Sequence, residues 1–242
     1  MITLHRFPIS HFSEKGRALL DFKGLDYEIR DYTLGLPQRK LVKLSGQRQV
    51  PVIEHAGDVV HDSTRIAHYL DEKFPDRRRL IPLDEPRRAE VLKLEDEIDR
   101  VFGVGAPLAW FQHALVDRDH LDLLAIEVHG LSVRGARVLG GAIRTAERFG
   151  FAGAFIARKL ARTRTLLKKL SDRLAGARWL VGDEPTLADV AAAGLTLHLE
   201  FPKSKHLAVP AMAGRGVPGF ADDPSFAPFF SWRRRVYEEL LT

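Results

Sequence analysis

The chain has 242 residues, of which 45% are hydrophobic and 29% charged, a composition typical of a soluble globular protein. It contains no cysteine, which excludes disulfides, zinc–thiolate sites, iron–sulfur clusters and a cysteine nucleophile. No apolar run approaches the roughly 20 residues that span a bilayer, and the N-terminus lacks the apolar segment of a signal peptide. We therefore expect a cytoplasmic protein without a membrane partner.

The chain is mildly basic, with a formal net charge of +5 from 37 basic and 32 acidic residues. Basic residues concentrate at Arg77–Arg79, Arg158–Lys169 and Arg233–Arg235. Solvated helix faces and helix C-termini usually explain such clusters, and attraction of anionic ligands is the functional alternative. Because no nucleic-acid-binding motif accompanies the charge, we expect no nucleic-acid partner.

The first 75 residues alternate between strand and helix patterns. Short apolar or alternating segments predict strands at 2–7, 27–32, 50–54 and 59–61. Apolar residues at helical spacing predict helices at 14–23, 38–44 and 62–74. A turn at 55–58 joins the last two strands into a hairpin. The resulting order, β-α-β-α-β-β-α, is the thioredoxin arrangement.

The rest of the chain is predicted to be helical. Residues 76–86 contain prolines and the arginine triplet, which is typical of an exposed linker. From residue 87 onward, helical periodicity predicts helices at 87–101, 119–129, 156–174, 189–200 and 226–241. The helix at 189–200 is apolar on most sides, which indicates a buried central position. We predict two domains: a thioredoxin-like α/β domain over 1–75 and an all-α domain over 87–242.

Four short segments carry a resemblance to the glutathione transferase superfamily, in which they occur together in the same order and spacing. They are Ser10–Arg17, Gln49–Val52, Asp62–Ser63 and Pro185–Asp189. The chain resembles the serine-type, bacterial-like members over essentially its whole length. The resemblance implies a thioredoxin-like domain that binds glutathione, an all-α C-terminal domain and a homodimer.

Ser10 and Ser13 stand where other thioredoxin-like folds carry a C-x-x-C motif. A hydroxyl cannot exchange disulfides, but it can donate a hydrogen bond to a thiolate and so lower a thiol pKa that is ordinarily about 8.5. Ser10 best matches the serine that does so in serine-type members, and Ser13 is the second candidate. Either serine could instead only cap the following helix. His11 replaces a common proline and either contacts the ligand or, as we expect, faces solvent.

The resemblance places the other glutathione contacts at two sites. Pro51 would follow a cis peptide bond, and Val50 would pair with the cysteinyl part of glutathione as an added strand does, with Gln49 beside the glycyl end. Ser63 would bind the γ-glutamyl carboxylate at a helix N-terminus, with Asp62 facing the ammonium group. The simpler interpretations are an edge-strand proline and an ordinary helix cap.

Two further features concern the helical part. Thr186 and Asp189 have the form of a capping box that opens the apolar helix, which supports the fold and not the chemistry. A pocket for a second substrate is expected around aromatic and histidine side chains, although aromatic residues at such positions are more often core. The predicted residues of this pocket are Phe12, Phe102, Trp110, Phe111 and His113. Phe12 also belongs to the predicted glutathione site, as does His11.

The leading hypothesis is a glutathione transferase involved in detoxification, in which the thiolate of bound glutathione attacks a small hydrophobic electrophile. One alternative is a member of the family that binds or assembles without catalysing a reaction. Another is a glutathione-dependent isomerase, dehalogenase or peroxidase that uses the same activated thiolate. Glutathione is the co-substrate in each catalytic case, and no metal is expected.

Overall fold

The computed structural model describes residues 1–32, 38–114, 116–117, 151–207 and 210–241. Within these residues the chain forms four strands followed by long helices, with shorter helices between the strands. The predicted helix at 119–129 lies outside the described residues. Among the described residues, none of the helices combines the length and the hydropathy of a membrane-spanning segment.

The N-terminal part is a four-stranded mixed sheet with three helices. Its strands are β1 Ile2–Arg6, β2 Tyr27–Asp31, β3 Val52–His55 and β4 Asp58–His61. Its helices are α1 His11–Phe22, α2 Gln38–Ser45 and α3 Ser63–Lys73. The strand order is β2-β1-β3-β4, with β1 parallel to β2 and antiparallel to β3, which pairs with β4 as a hairpin. The thioredoxin-like fold predicted from the sequence is confirmed.

Helix α1 begins three residues earlier than predicted because Ser10 caps it. The Ser10 backbone is extended, and its Oγ accepts a hydrogen bond from the N–H of Ser13 at 3.2 Å. The Ser10 carbonyl accepts the N–H of Glu14 at 2.9 Å. A side-chain cap of this kind satisfies N–H groups that have no partner within the helix. The residues from His11 to Ser13 therefore form the first turn of α1.

The C-terminal part is helical, as predicted. Its α-helices in the described residues are α4 Glu85–Ala114, α5 Phe151–Leu174, α6 Leu187–Leu195 and α7 Ala227–Leu240. Helix α6 packs against α1 and α4, and every one of its residues is buried, which confirms its predicted central position. It is shorter than predicted. The Thr196 hydroxyl takes the Ala192 and Ala193 carbonyls as acceptors, and side-chain bonds of this kind compete with the helical pattern.

The predicted capping box at the start of α6 is present in the structure. Asp189 Oδ2 accepts the Thr186 N–H at 2.8 Å and the Thr186 hydroxyl at 3.0 Å, and Oδ1 accepts the Leu180 N–H at 2.9 Å. Burial raises the pKa of Asp189 to about 6, and the hydrogen bonds from Leu180 and Thr186 oppose this shift. The Asp189 carboxylate therefore fixes the chain that enters the central helix.

Two groups of buried charges join α1 to the helical part. In the first, the Lys15 ammonium is fully buried and donates to Glu95 Oε1 at 2.6 Å and to the two Asp99 oxygens at 2.7 and 2.8 Å. Glu95 and Asp99 both belong to α4, whereas Lys15 lies one turn beyond Ser10 in α1. These bonds fix the position of Ser10 relative to α4.

The second group connects α1 with the last helix. The Tyr237 hydroxyl of α7 donates to Glu14 Oε1 at 2.9 Å, and the Arg17 guanidinium donates to both Glu14 oxygens at 2.6 and 3.0 Å. Burial alone would raise the pKa of Glu14, but Arg17 and Tyr237 hold this pKa below its ordinary value. One hydrophobic core also runs through the sheet and the helical part. Helix α1 is therefore anchored on both sides of the structure.

Candidate functional site

A cleft of about 890 Å³ lies where the N-termini of α1 and α3 meet the chain that enters β3. We call it the Ser10 cleft. Seven of the predicted site residues line it: Ser10, Phe12, Gln49, Val50, Pro51, Asp62 and Ser63. Six lining residues were not predicted: Phe7, Gln47, Arg48, His61, Arg65 and Asp99. The three N-terminal segments that carry the family resemblance therefore meet at one place.

Ser10 and Ser13 differ in their access to the Ser10 cleft. Ser10 is half-buried and lines the cleft. Because its Oγ accepts the Ser13 N–H, the Ser10 hydroxyl keeps its own hydrogen for donation. Ser13 is 1% exposed, and its Oγ accepts the Phe7 N–H at 3.2 Å beneath the start of the helix. The structure therefore presents Ser10 to a ligand and encloses Ser13.

The chain before β3 forms one wall of the Ser10 cleft. The Val50–Pro51 peptide bond is cis, and β3 begins only at Val52, so Val50 lies outside the strand pairing. The Gln47 side chain holds the Gln49 backbone by two hydrogen bonds, of 2.7 Å to its carbonyl and 3.2 Å from its N–H. Pro51 packs on Gly16 of α1, where a Cβ atom would lie 2.7 Å from Pro51 Cβ. Glycine at position 16 thus allows this wall to lie against α1.

The N-terminus of α3 forms a second wall. Asp62 caps the helix, and its Oδ1 accepts the N–H groups of Thr64 and Arg65, each at 3.0 Å. Asp62 has a φ of 74°, a left-handed conformation that is uncommon outside glycine and is concentrated at functional sites. Ser63 follows at the first helical position and is buried at the cleft. Because helix N-termini carry partial positive charge, α1 and α3 both favour anionic groups in the cleft.

Asp99 brings negative charge into the Ser10 cleft from α4. Its side chain is 22% exposed, and it shares the Lys15 ammonium with Glu95. Burial raises the pKa of Asp99 to about 6, with Lys15 opposing this shift and Glu95 adding to it. When both carboxylates are ionised, one net negative charge remains close to Asp62. That charge favours a cationic group of a ligand at this end of the cleft.

His11 does not face solvent, contrary to the expectation from the sequence. The ring is half-buried, and its Nε2 donates to the Gly103 carbonyl at 3.0 Å. The ring also packs against Phe12 and His198, with centroid distances of 4.7 and 5.1 Å. Burial lowers the pKa of His11 to about 4, and the bond to Gly103 opposes this shift, so the ring is neutral at pH 7. His11 joins α1 to α4 and does not line the Ser10 cleft.

The residues predicted for a second-substrate pocket differ in their burial and in their access to the Ser10 cleft. Phe102 is 0% exposed and Trp110 3% exposed, so both belong to the core and offer no surface to a ligand, which corrects the prediction. Phe111 and His113 are half-buried, and neither lines the Ser10 cleft. Of the five predicted residues, Phe12 alone lines it. Helix α4 turns the face that carries Phe102 and Trp110 towards the core.

Some of the missed residues had a signal in the sequence. Arg48 precedes Gln49, and Arg65 lies in the first turn after Asp62. Because each arginine is close in sequence to a predicted motif, both could have been predicted to lie near the site. Asp99 had no such signal, because it is one of several acidic residues on a long helix. Its position in the cleft depends on how α4 packs against α1.

Two family models match successive parts of the chain. The model of the glutathione S-transferase N-terminal domain matches residues 4–78, and that of the glutathione S-transferase C-terminal domain matches residues 154–214. The chain is 35% identical over 82 residues to a rice (Oryza sativa subsp. japonica) protein named probable glutathione S-transferase GSTU1. This similarity covers 34% of the chain and spans 36% of the length of that relative.

Solved structures resemble the chain over almost its whole length. The β-etherase LigF from Sphingobium sp. strain SYK-6 superposes with a TM-score of 0.67 at 20% identity, covering 99% of this chain and 96% of LigF. Rice GST1 in complex with glutathione gives a TM-score of 0.61 at 20% identity, covering 99% and 89%. At this identity the likeness shows the fold. With both family models matched in order, the chain belongs to the glutathione S-transferase superfamily.

Proposed function

We propose that the protein is a glutathione transferase in which Ser10 stabilises the thiolate of bound glutathione. The observation that carries the proposal is the placement of Ser10, which caps α1 and lines the cleft with a hydroxyl hydrogen left to donate. A free thiol has a pKa of about 8.5 and is only about 3% ionised at pH 7. A hydroxyl donor and a helix N-terminus both lower that pKa and so increase the nucleophilic fraction.

All the bonds that form or break in the reaction belong to the bound thiol and the electrophile. The thiol proton leaves to water, and the sulfur lone pair attacks an electrophilic carbon of a small hydrophobic molecule. A new carbon–sulfur bond forms, and the leaving group departs with the electron pair of the bond that breaks. Phe12 supplies apolar surface beside Ser10 for the electrophile.

The walls of the cleft support the rest of the proposal. The Val50 backbone would pair with the cysteinyl part of glutathione as an added strand does. Gln49 and the exposed Arg48 would lie by the glycyl carboxylate. The buried Ser63 at the start of α3 would bind the γ-glutamyl carboxylate, as helix N-termini bind anions. Asp62 and Asp99 would face the γ-glutamyl ammonium group, which their negative charge attracts.

We also infer a homodimer, since the family resemblance implies one, and keep the cytoplasmic location that was expected from the sequence. Neither a nucleic acid nor a membrane is proposed as a partner. Native mass spectrometry of the purified chain tests the dimer directly, and a monomer at micromolar concentration would contradict it.

The proposed activity is tested by retention on glutathione-agarose and by conjugation of a standard aryl halide. Retention together with turnover above the solvent rate supports a transferase. Retention without turnover on a panel of electrophiles would identify a member that binds without catalysis. Loss of both would remove the proposed function.

A second candidate is another reaction of the same thiolate, such as cleavage of an ether. The observation that favours it is the structural likeness to a β-etherase over nearly the whole chain. Ethers belong in the substrate panel for this reason, beside halides, peroxides and isomerisable substrates. Preference for the ether over the aryl halide would favour this candidate.

A further inference from the structure

His11 and Phe12, the two residues after Ser10, both contact Gly103 of α4. The His11 ring donates to the Gly103 carbonyl at 3.0 Å. The Phe12 ring lies over the Gly103 Cα, where a Cβ atom would be 2.8 Å from Cζ and 3.2 Å from Cε2. Real Cβ atoms essentially never approach other heavy atoms to less than 3.0 Å. Any side chain at position 103 would therefore displace the Phe12 ring.

Glycine is not required at position 103 by the backbone. Gly103 lies inside α4 and is not among the residues with positive φ. Glycine inside a helix costs about 1 kcal/mol of helix stability relative to alanine. Gly105, two residues further on, meets Thr163 of α5 and so makes a different contact. Glycine at position 103 therefore allows the contact with the Phe12 ring.

The position of the Phe12 ring sets the space beside Ser10. Phe12 is half-buried and lines the Ser10 cleft together with Ser10. If a side chain at 103 pushed the ring away from α4, the ring would move towards the space in which the sulfur and its substituent lie. Glycine at 103 instead leaves the ring against the helix. The bound thiol then has room for a large apolar group.

We propose that Gly103 is a specificity-determining residue, which selects electrophiles with a bulky apolar group by holding the Phe12 ring against α4. The inference rests on the proposed function, because it takes the bound thiol to be glutathione. It adds a residue outside the Ser10 cleft lining and a substrate class, namely electrophiles that leave a large apolar substituent, such as a benzyl group, on sulfur.

Binding of S-substituted glutathiones by calorimetry tests the proposal without the need for turnover. Glutathione, S-methylglutathione and S-benzylglutathione are titrated into the wild type and Gly103→Ala. We expect Gly103→Ala to weaken S-benzylglutathione by about tenfold relative to S-methylglutathione, because removing space in an apolar pocket has effects of this size. The affinity for glutathione itself should stay within about twofold. Gly176→Ala is the matched control, because a Cβ there meets nothing within 4 Å.

A Phe12→Ala background completes the experiment. With the ring absent, adding Gly103→Ala should leave the ratio of S-benzyl to S-methyl affinities unchanged, which is the coupling expected of two residues in contact. This pair also serves if Gly103→Ala alone does not fold, since the steric conflict is then gone. An effect of Gly103→Ala that persists without the Phe12 ring overturns the proposal.

The remaining outcomes are also decisive. If Gly103→Ala lowers the affinity for both S-substituted ligands equally, or for neither, the role of Gly103 is overturned. The proposed function still stands in that case, provided that the wild type binds glutathione. A wild type that binds no glutathione removes the proposed function, and the inference about Gly103 with it.

Discussion

The Lys15 ammonium lies 2.7 and 2.8 Å from the two carboxylate oxygens of Asp99 and joins the helix that carries Ser10 to the helix that closes one end of the cleft. Glu95 accepts a hydrogen bond from the same ammonium at 2.6 Å. Two carboxylates thus share one cation, and the remaining negative charge lies at the Ser10 cleft. The same group of residues fixes the arrangement of the two helices and supplies a binding charge.

Glutathione affinity should rise with pH through the pKa of Asp99, which burial raises to about 6. Asp99 is neutral below this pKa and ionised above it, and only the ionised form attracts the γ-glutamyl ammonium. A hydrogen bond to a charged group contributes about 1.5–3 kcal/mol. Because Asp99 is still partly ionised at pH 5, the affinity at pH 7 should exceed that at pH 5 by about five- to tenfold. Calorimetric titrations across this range measure the change.

Asp99→Asn should abolish this pH dependence and lower the affinity at pH 7 to about the low-pH value. His61 also lines the cleft, so His61→Asn is the matched control. The pH dependence should persist in His61→Asn, and a pH dependence that survives in Asp99→Asn would contradict the role of Asp99.

Lys15→Met should lower the free energy of unfolding by about 3–5 kcal/mol, because it leaves the buried Glu95 and the half-buried Asp99 carboxylates without their cation. Adding Glu95→Gln and Asp99→Asn to Lys15→Met should restore most of the loss, since no uncompensated charge then remains. Urea unfolding followed by circular dichroism measures both effects. Lys168→Ala breaks only the exposed ion pair with Asp172, and should cost less than about 1 kcal/mol.

Ser10→Ala should raise the pKa of the bound glutathione thiol and reduce kcat by about 100-fold, as expected when one donor to a reacting anion is removed. The ultraviolet absorbance of the thiolate, followed against pH, measures the pKa. Ser10→Thr keeps a hydroxyl and a helix cap and should retain most of the rate. Ser13→Ala should leave the thiol pKa unchanged, because Ser13 is enclosed beneath the helix. A larger loss from Ser13→Ala than from Ser10→Ala would reverse the assignment.

Asp189→Ala should lower the free energy of unfolding by about 2–4 kcal/mol, because it removes the acceptor of three buried hydrogen bonds. Thermal or urea unfolding measures the loss, and glutathione binding by the fraction that remains folded should be unchanged. Asp172→Ala replaces an exposed aspartate on α5 and should change stability by less than about 0.5 kcal/mol. Equal effects of the two substitutions would contradict the structural role of Asp189.

Residues of the cleft differ in how well the sequence predicts them. Ser10, Pro51, Asp62 and Ser63 belong to motifs that lie within a few residues of a helix start or a strand start. The groups that they satisfy are local, such as the free N–H groups of a helix N-terminus, so the chain itself carries the signal. Sequence alone did not decide between Ser10 and Ser13, because both are serines, and serine caps helices well.

The positions of the α4 residues could not be predicted in this way. Phe102 and Gly103 are neighbours in sequence, yet Phe102 is fully buried in the core, whereas Gly103 contacts His11 and Phe12. A helix places successive side chains about 100° apart, so the role of each residue depends on how the helix is rotated against its neighbours. Periodicity finds an apolar face, but α4 has partners on several sides, α1, α5 and α6 among them.

The sequence by itself determined the fold class, the order of strands and helices in the described residues, and the local motifs at Ser10, Pro51 and Asp62, because caps, turns and periodicity are short-range properties of the chain. Only the tertiary structure decided that Ser10 opens to the cleft while Ser13 is enclosed, that His11 binds α4, and that Asp99 completes the cleft. The positions of His11 and Asp99 depend on contacts between α1 and α4, which join residues about 80 to 90 positions apart in sequence, as Lys15 to Glu95 and His11 to Gly103 do.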